Sequence, residues 1–245
     1  MAKNEKREQQ LSTMITLDIL SEIRNGKFSG KKFLPPEQEL SEVYGVSRNV
    51  IRECLTRLER EGWITRKHGV GTLINKQIVS AEPRLDLNYE LLQTIRMTGK
   101  TASVDFVVHS EIPADHALAD YLQRKEGSRV LRVARMIRAD HKPSIYCIDY
   151  LPMDIISERY DVSDLHDNIF EFLRNFCHTD VETNLAEVRA MPVTKEVSDA
   201  LEVPMTTTLV YLSEVGYDLR SNPILYSEEY FIDRVIPLTI VRKKI

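Results

Sequence analysis

Residues 34–74 read LPPEQELSEVYGVSRNVIRECLTRLEREGWITRKHGVGTLI, and within them the spacing of apolar residues switches from a helical period to a strand period. Pro35 and Pro36 stand where a helix can begin, because first-turn N–H groups lack intrahelical partners and proline has no N–H to lose. Leu40, Val43 and Tyr44 then form an apolar stripe that Gly45 ends. Ser47 suits an N-cap, and Val50, Ile51, Leu55 and Leu58 recur at helical spacing to about Glu61, with Gly62 as the stop. Trp63–Lys67 and Thr72–Ile74 take on strand character around the turn His68-Gly69-Val70-Gly71, which predicts a β-hairpin. Upstream, Leu11, Ile15, Ile19, Leu20 and Ile23 mark a first helix over residues 8–24, closed by Asn25-Gly26.

Three helices with only a few residues between the second and third, followed by a hairpin, form the order of a winged helix-turn-helix. That order predicts a DNA-binding domain over residues 1–76. The chain as a whole carries a net charge of −4, which speaks weakly against nucleic acid. The charge is unevenly spread, however: residues 1–76 hold 14 Lys and Arg against 10 Asp and Glu, whereas residues 77–245 hold 19 against 27. A basic head on an acidic body confines phosphate attraction to the head.

Residues 77–94 show little pattern beyond polarity and Pro83, and read as a linker and lead-in to a second domain over 95–245. In that domain strands are expected at 102–110, 130–137, 145–151, 184–190, 209–218 and 224–232, and helices at 114–123, 169–176 and 195–201. Turns at Asp140-His141-Lys142-Pro143 and Ser221-Asn222-Pro223 join successive strands, so the expected class is α+β, an antiparallel sheet with flanking helices. No apolar run approaches membrane-spanning length and the opening MAKNEKREQQ lacks a signal peptide's apolar stretch, so a cytoplasmic protein with no membrane partner is expected. Cys54, Cys147 and Cys177 are far apart and lack CxxC spacing, which favours buried free thiols. His109, His116, His141, His166 and His178 lack metal-ligand spacing, so no metal and no cofactor are expected.

Residues 34–74 resemble the DNA-binding head of the GntR family of bacterial regulators, whose members read LPSExELxxxYGVSRxTVRxALxxLxxEGxIxxxxGxGTFV. Pro36 replaces a serine of that pattern, and Gln38 takes a place often held by arginine. The resemblance implies that the third helix enters the major groove while the hairpin wing meets the minor groove or the backbone. Its DNA-binding residues carry over to Glu37, Gln38, Ser47, Arg48, Asn49, Arg52, Lys67, His68 and Gly69. Arg48 and Arg52 lie four apart on one helix face, and an arginine fork matches the O6 and N7 acceptors of guanine. Ser47 and Asn49 reach phosphate or a neighbouring base edge, and Gly69 lets the wing backbone approach a groove closely. A lone arginine on a helix is ordinarily just solvated; the surrounding winged pattern is what turns these two towards DNA. Arg57 and Arg60, later on the helix, suit a surface or dimer role equally.

From about residue 90 to about residue 240 the chain resembles UTRA, the effector domain of the HutC branch of that family, in Val130–Leu151, Leu201–Val203 and the closing Asp233-Arg234. The resemblance implies a sheet related to chorismate lyase, a homodimer, and a small-molecule effector. Several relatives hold phosphorylated sugars with an Arg-x-Arg pair, where this chain has Arg135 and Ile137; Asn168 stands for a serine, Cys147 and Leu225 for glutamates, and Phe231 for a tyrosine. The candidate effector residues are therefore Arg135, Ile137, Cys147, Asn168, Glu228, Tyr230 and Phe231. A phosphate held without the second arginine loses a charge-assisted pair. Either the pocket is rebuilt around Arg135 and Arg138 for a sugar phosphate or another anion, or it suits a less charged effector, or Arg135 is a structural ion-pair partner. Asp149, Glu187, Glu228 and Glu229 are further strand acids whose face the period does not decide.

The expected function is a ligand-responsive transcriptional regulator, a repressor, that binds a palindromic operator as a dimer. Two other classes stay open: a lyase-like enzyme, and a DNA-binding protein without an effector. No nucleophile elbow, phosphate loop, metal triad or catalytic carboxylate pair stands in the sequence, so no catalytic residue is named.

Overall fold

The computed structural model describes residues 2–81, 83–166, 168–232 and 235–243; Asp233 and Arg234, part of the UTRA resemblance, lie outside the described residues. Two compact units emerge, Met1–Asp86 with Thr239–Ile245, and Leu87–Leu238.

In the first unit α1 (Ala2–Arg24), α2 (Glu37–Tyr44) and α3 (Arg48–Arg60) precede the hairpin β1 (Ile64–Lys67) and β2 (Gly71–Ile74), and α4 (Lys76–Val79) follows. Ile15, Ile19, Leu20 and Ile23 of α1 are buried, as are Leu40 of α2 and Ile51, Cys54, Leu55 and Leu58 of α3. Four members of the apolar stripes fall outside this core: Leu11 at 40% and Val43 at 54% exposure lie on the surface, and Tyr44 and Val50 are half-buried. A helix as short as α2 meets the core through one turn, so Val43 is left on its outer side. The hairpin pairs antiparallel from Ile64 opposite Ile74 to Lys67 opposite Gly71, and Phe33 bridges Leu73 from its other edge. Fully buried Trp63 packs under two guanidinium groups, Arg24 at 5.1 Å and Arg84 at 4.5 Å from its ring centre, a cation–π arrangement. Arg84 also donates to the Glu61 carbonyl at 2.6 Å. The tail rejoins this unit: Leu85 N–H donates to the Thr239 carbonyl at 2.7 Å, and Lys243 Nζ to the Arg60 carbonyl at 2.9 Å.

The second unit runs α5 (Leu91–Met97), β3 (Ala102–Pro113), α6 (His116–Leu122), β4 (Arg129–Ala139), β5 (Lys142–Pro152), α7 (Ile169–Phe176), β6 (Thr183–Pro192), α8 (Lys195–Leu201), β7 (Thr208–Tyr217) and β8 (Pro223–Phe231). Its six strands lie in the order β3-β4-β5-β8-β7-β6, every neighbouring pair antiparallel, which is the expected α+β architecture. One face receives α7, whose Ile169, Phe172 and Leu173 pack on Leu131, Val133, Leu151 and Leu225. The other face receives α6, through Leu118 and Leu122 on Val130 and Tyr226, and α8, through Val197 and Leu201 on Ala134 and Met136. Helices α4 and α5 lie where the sequence shows little pattern, because four and seven residues are too few for a helical period to stand out. The carboxylate of Glu90 caps α5, accepting from Leu92 N–H at 3.0 Å and Gln93 N–H at 2.9 Å, and glutamate is not a residue type that announces a cap. All three cysteines are free and buried. Among the described residues no helix is long and apolar enough to cross a membrane, and no group of three or more His, Cys, Asp or Glu could hold a metal ion.

Candidate nucleic-acid interface and effector site

The turn between α2 and α3 is built from two local choices. Gly45 takes a left-handed φ of 63°, where an L side chain is strained, and closes α2. Ser47 then caps α3, its Oγ accepting from Val50 N–H at 3.4 Å. Pro36, at the N-cap of α2, offers no side-chain bond, so replacing the usual serine there leaves that end uncapped. Burying Ile51, Cys54, Leu55 and Leu58 forces the opposite side of α3 outward, and Ser47, Arg48, Asn49 and Arg52 are all exposed.

Arg48 and Arg52 meet a common partner. Glu37 Oε2 lies 3.1 Å from Arg52 Nη2 and 4.0 Å from Arg48 Nη2, with the side chains of Arg52 and Arg48 54% and 61% exposed. So solvated an ion pair adds little stability, but it holds two guanidinium forks side by side. Gln38 instead points along α2, donating to Glu42 Oε1 at 3.3 Å. Lys67, His68 and Gly69 are exposed at the wing tip, where Val70 N–H closes the turn on the Lys67 carbonyl at 3.0 Å. Arg57 reaches Thr13 of α1 and Glu61, each at 3.2 Å. A groove of about 640 Å³ between α1 and α3 continues this basic surface, lined by Ser12, Thr16, Asn49, Arg52, Thr56 and Arg60 among others.

In the sheet, cross-strand register decides which candidate effector residues meet. One row on the α7 face runs Arg135, Cys147, Glu229, Leu212; the next runs Val133, Asp149, Ser227, Glu214; a third, on its other side, runs Ile137, Ile145, Phe231, Val210. Arg135 and Asp149 are 2% exposed and joined at 2.6 Å, and Ser227 Oγ donates to the second Asp149 oxygen at 2.7 Å. Cys147 fills the space beside Arg135 as a thiol, since burial pushes its ionisation up. Ile137 and Phe231 are buried apolar neighbours on this face. Asn168 starts α7, and its side chain is engaged as the cap, accepting from Phe170 N–H at 2.9 Å.

Glu228 and Tyr230 are not part of this group. Strand alternation turns them to the other face, where Glu228 accepts from Tyr150 at 3.0 Å and Tyr211 at 2.9 Å, and Tyr230 packs 5.0 Å from Tyr211. Arg138 also stands apart, half-buried and paired to Asp105 at 2.9 Å and Glu202 at 3.0 Å. Of the four strand acids left open, Asp149 and Glu229 face Arg135, whereas Glu187 pairs with Arg189 on exposed β6. Glu214 on β7 and Asn184 on β6, which the sequence does not single out, join the Arg135 face, Asn184 donating to Glu214. The turn at Ser221-Asn222-Pro223 marks the β7–β8 hairpin in the sequence, but the pairing of β5 with β8, which brings Glu229 beside Cys147, has no local signal.

The amino-acid sequence matches the model for bacterial regulatory proteins of the gntR family over residues 11–74, and the UTRA domain model over residues 97–234, more than half of the chain. This chain belongs to the GntR family. Its UTRA domain places it by architecture in the HutC branch, and it is a DNA-binding transcriptional regulator with an effector domain. The HTH-type transcriptional regulator GgaR of Escherichia coli is 24% identical over 209 residues, 85% of this chain and 82% of that protein. YurK of Bacillus subtilis, an uncharacterized HTH-type transcriptional regulator, is 30% identical over 146 residues, 60% of this chain but only 58% of that one. Such relatives are regulators, not enzymes. The crystal structure of YydK, a possible transcriptional regulator of Bacillus subtilis, has the same fold, with a TM-score of 0.76 at 17% identity over 95% of this chain and 99% of that one.

Proposed function

We propose that this GntR-family chain is a repressor of a metabolic operon, binding a palindromic operator as a homodimer and responding to a small metabolite held in its UTRA domain. The observation that carries this reading is the pair Arg48 and Arg52, exposed on the outer face of capped α3 and aligned by Glu37. Arg48 and Arg52 read base edges, Ser47 and Asn49 meet phosphate or an adjacent base, and Glu37 and Gln38 support the entry to the groove from α2. Lys67, His68 and Gly69 bring the wing to the neighbouring groove. A two-fold dimer calls for a two-fold site. The edge strand β6, with Leu185 65% and Val188 52% exposed, supplies apolar surface for such an association.

The effector site of this reading is the α7 face of the sheet around Arg135, Ile137, Cys147, Asn168 and Phe231. Effector binding shifts operator affinity only as far as it favours one dimer geometry over the other. The test is a fluorescence-anisotropy titration of the full chain onto DNA from upstream of its own gene, at several salt concentrations. Tight, salt-dependent binding that random DNA does not compete away is the expected result; affinity equal to that for random DNA would overturn the reading.

A further inference from the structure

The chain leaves the head for the UTRA domain after Asp86 and returns to it at Thr239. Within the head the two connecting segments are joined to each other. Arg84 pairs in parallel with Thr239, Leu85 N–H donates to the Thr239 carbonyl at 2.7 Å, and Asp86 Oδ1 accepts from Val241 N–H at 3.2 Å. Both segments then end at one place, the last turn of α3.

A helix leaves its final carbonyls without intrahelical N–H partners, and its dipole makes that end negative. In α3 two cations from distant parts of the chain supply donors there. Arg84 reaches the Glu61 carbonyl at 2.6 Å, and Lys243 reaches the Arg60 carbonyl at 2.9 Å together with the Glu59 carbonyl beside it. Arg84 is itself fixed: its side chain is 2% exposed, lies over Trp63 at 4.5 Å and donates through Nε to Asp86 at 3.1 Å. Gly62 leaves room for the tail, since a β-carbon there would stand 3.3 Å from Lys243 Cε and 3.5 Å from Val241 Cγ1. The same turn governs the wing, because the Glu59 carboxylate accepts from Arg66 N–H and Nε, each at 2.7 Å.

The 13 residues of α3 make a rod of about 20 Å, so a tilt of its last turn swings Arg48 and Arg52 at the other end. Two-pronged contacts to a base tolerate little misplacement. We propose that Arg84 and Lys243 are positioning residues for operator recognition, holding the C-terminal end of α3, and with it the wing, so that Arg48 and Arg52 meet the bases at a fixed angle. This rests on the reading of Arg48 and Arg52 as the base-reading pair. The two covalent connections between the head and the UTRA domain thus terminate on the helix that enters the DNA.

The experiment compares the full chain with Lys243→Ala, Lys243→Arg and Arg84→Lys. Anisotropy titrations at room temperature use DNA from upstream of the chain's own gene and random DNA, each over a series of salt concentrations, with thermal unfolding of the same preparations. Lys243 is exposed, so its replacement leaves the head folded and decides the case. Lys243→Ala is expected to weaken operator binding by about twofold to fivefold per head, since a contact at a helix end can transmit no more than its own worth, while binding to random DNA stays as it was. Lys243→Arg should restore the parent affinity. Arg84→Lys, which removes a buried guanidinium from Trp63 and Asp86, should lower both the unfolding midpoint and operator affinity. The dependence of operator affinity on salt should keep its slope in Lys243→Ala; a slope lower by about one per head would show that Lys243 touches a phosphate, and would overturn the positioning role. A lower midpoint in Lys243→Ala with unchanged operator affinity would mark a purely structural contact and overturn it too. A parent chain that binds the upstream DNA no better than random DNA overturns the regulator reading, and this role with it.

Discussion

In the head, Arg48, Asn49 and Arg52 come from one helix and stand in solvent, whereas in the UTRA domain Arg135, Asp149 and Ser227 come from three strands and are withdrawn from it. An exposed ion pair such as Glu37 with Arg52 exchanges water for a partner at little net gain, so its residues are free to serve DNA. A buried pair such as Arg135 with Asp149 has given up its hydration, and neither group can lose the other cheaply. Substitutions in the head are thus expected to change binding at constant stability, and substitutions on the sheet face to change stability first.

The largest effect is expected at Asp149. Asp149→Ala leaves a guanidinium at 2% exposure without its carboxylate and should cost about 3–5 kcal/mol in the unfolding of the UTRA domain, measured by urea titration. Recovery of most of that loss by Arg135→Met in the same chain would mark the pair as structural; no loss at all would break the contrast between the units. Next come Arg48→Ala and Arg52→Ala, each expected to weaken operator binding by about 1–3 kcal/mol in anisotropy titrations while leaving the unfolding midpoint in place. A stability change comparable to the binding change would show that these side chains belong to the head's own packing.

A smaller effect is expected at Ser47. Removing its cap in Ser47→Ala should cost about 1 kcal/mol of stability, so this position alone should move both readouts, one through the fold and one through the approach of α3 to DNA. The smallest change is expected for Glu37→Gln, within about 1 kcal/mol of stability by thermal unfolding, because its partners are more than half exposed. Sequence discrimination at the operator should relax in this variant if Glu37 orients the two arginines, and remain as it was if the arginines are held by DNA alone.

The amino-acid sequence by itself determined α2, α3 and the hairpin of the head to within a residue or two. Its signals are local: Gly45 at a left-handed turn, Ser47 at a cap, and a buried stripe on α3 that dictates which side Arg48 and Arg52 occupy. The strands and main helices of the UTRA domain were legible too, since eleven-residue runs such as β4 and β5 carry a clear strand signature. The short helices α4 and α5 were not, and neither was the return of residues 239–243 to the head, which depends on partners more than a hundred residues away such as Leu85. The effector face belongs to tertiary structure altogether. Alternation assigns each strand residue to one of two faces, but only the pairing of β4 with β5, β5 with β8 and β8 with β7 puts Asp149 and Glu229 beside Arg135 and turns Glu228 and Tyr230 away. A shift of one residue in any of these registers would exchange the two sets; local turns mark the β4–β5 and β7–β8 hairpins, but the pairing of β5 with β8, which joins Asp149 to Ser227, is set by packing between distant parts of the chain.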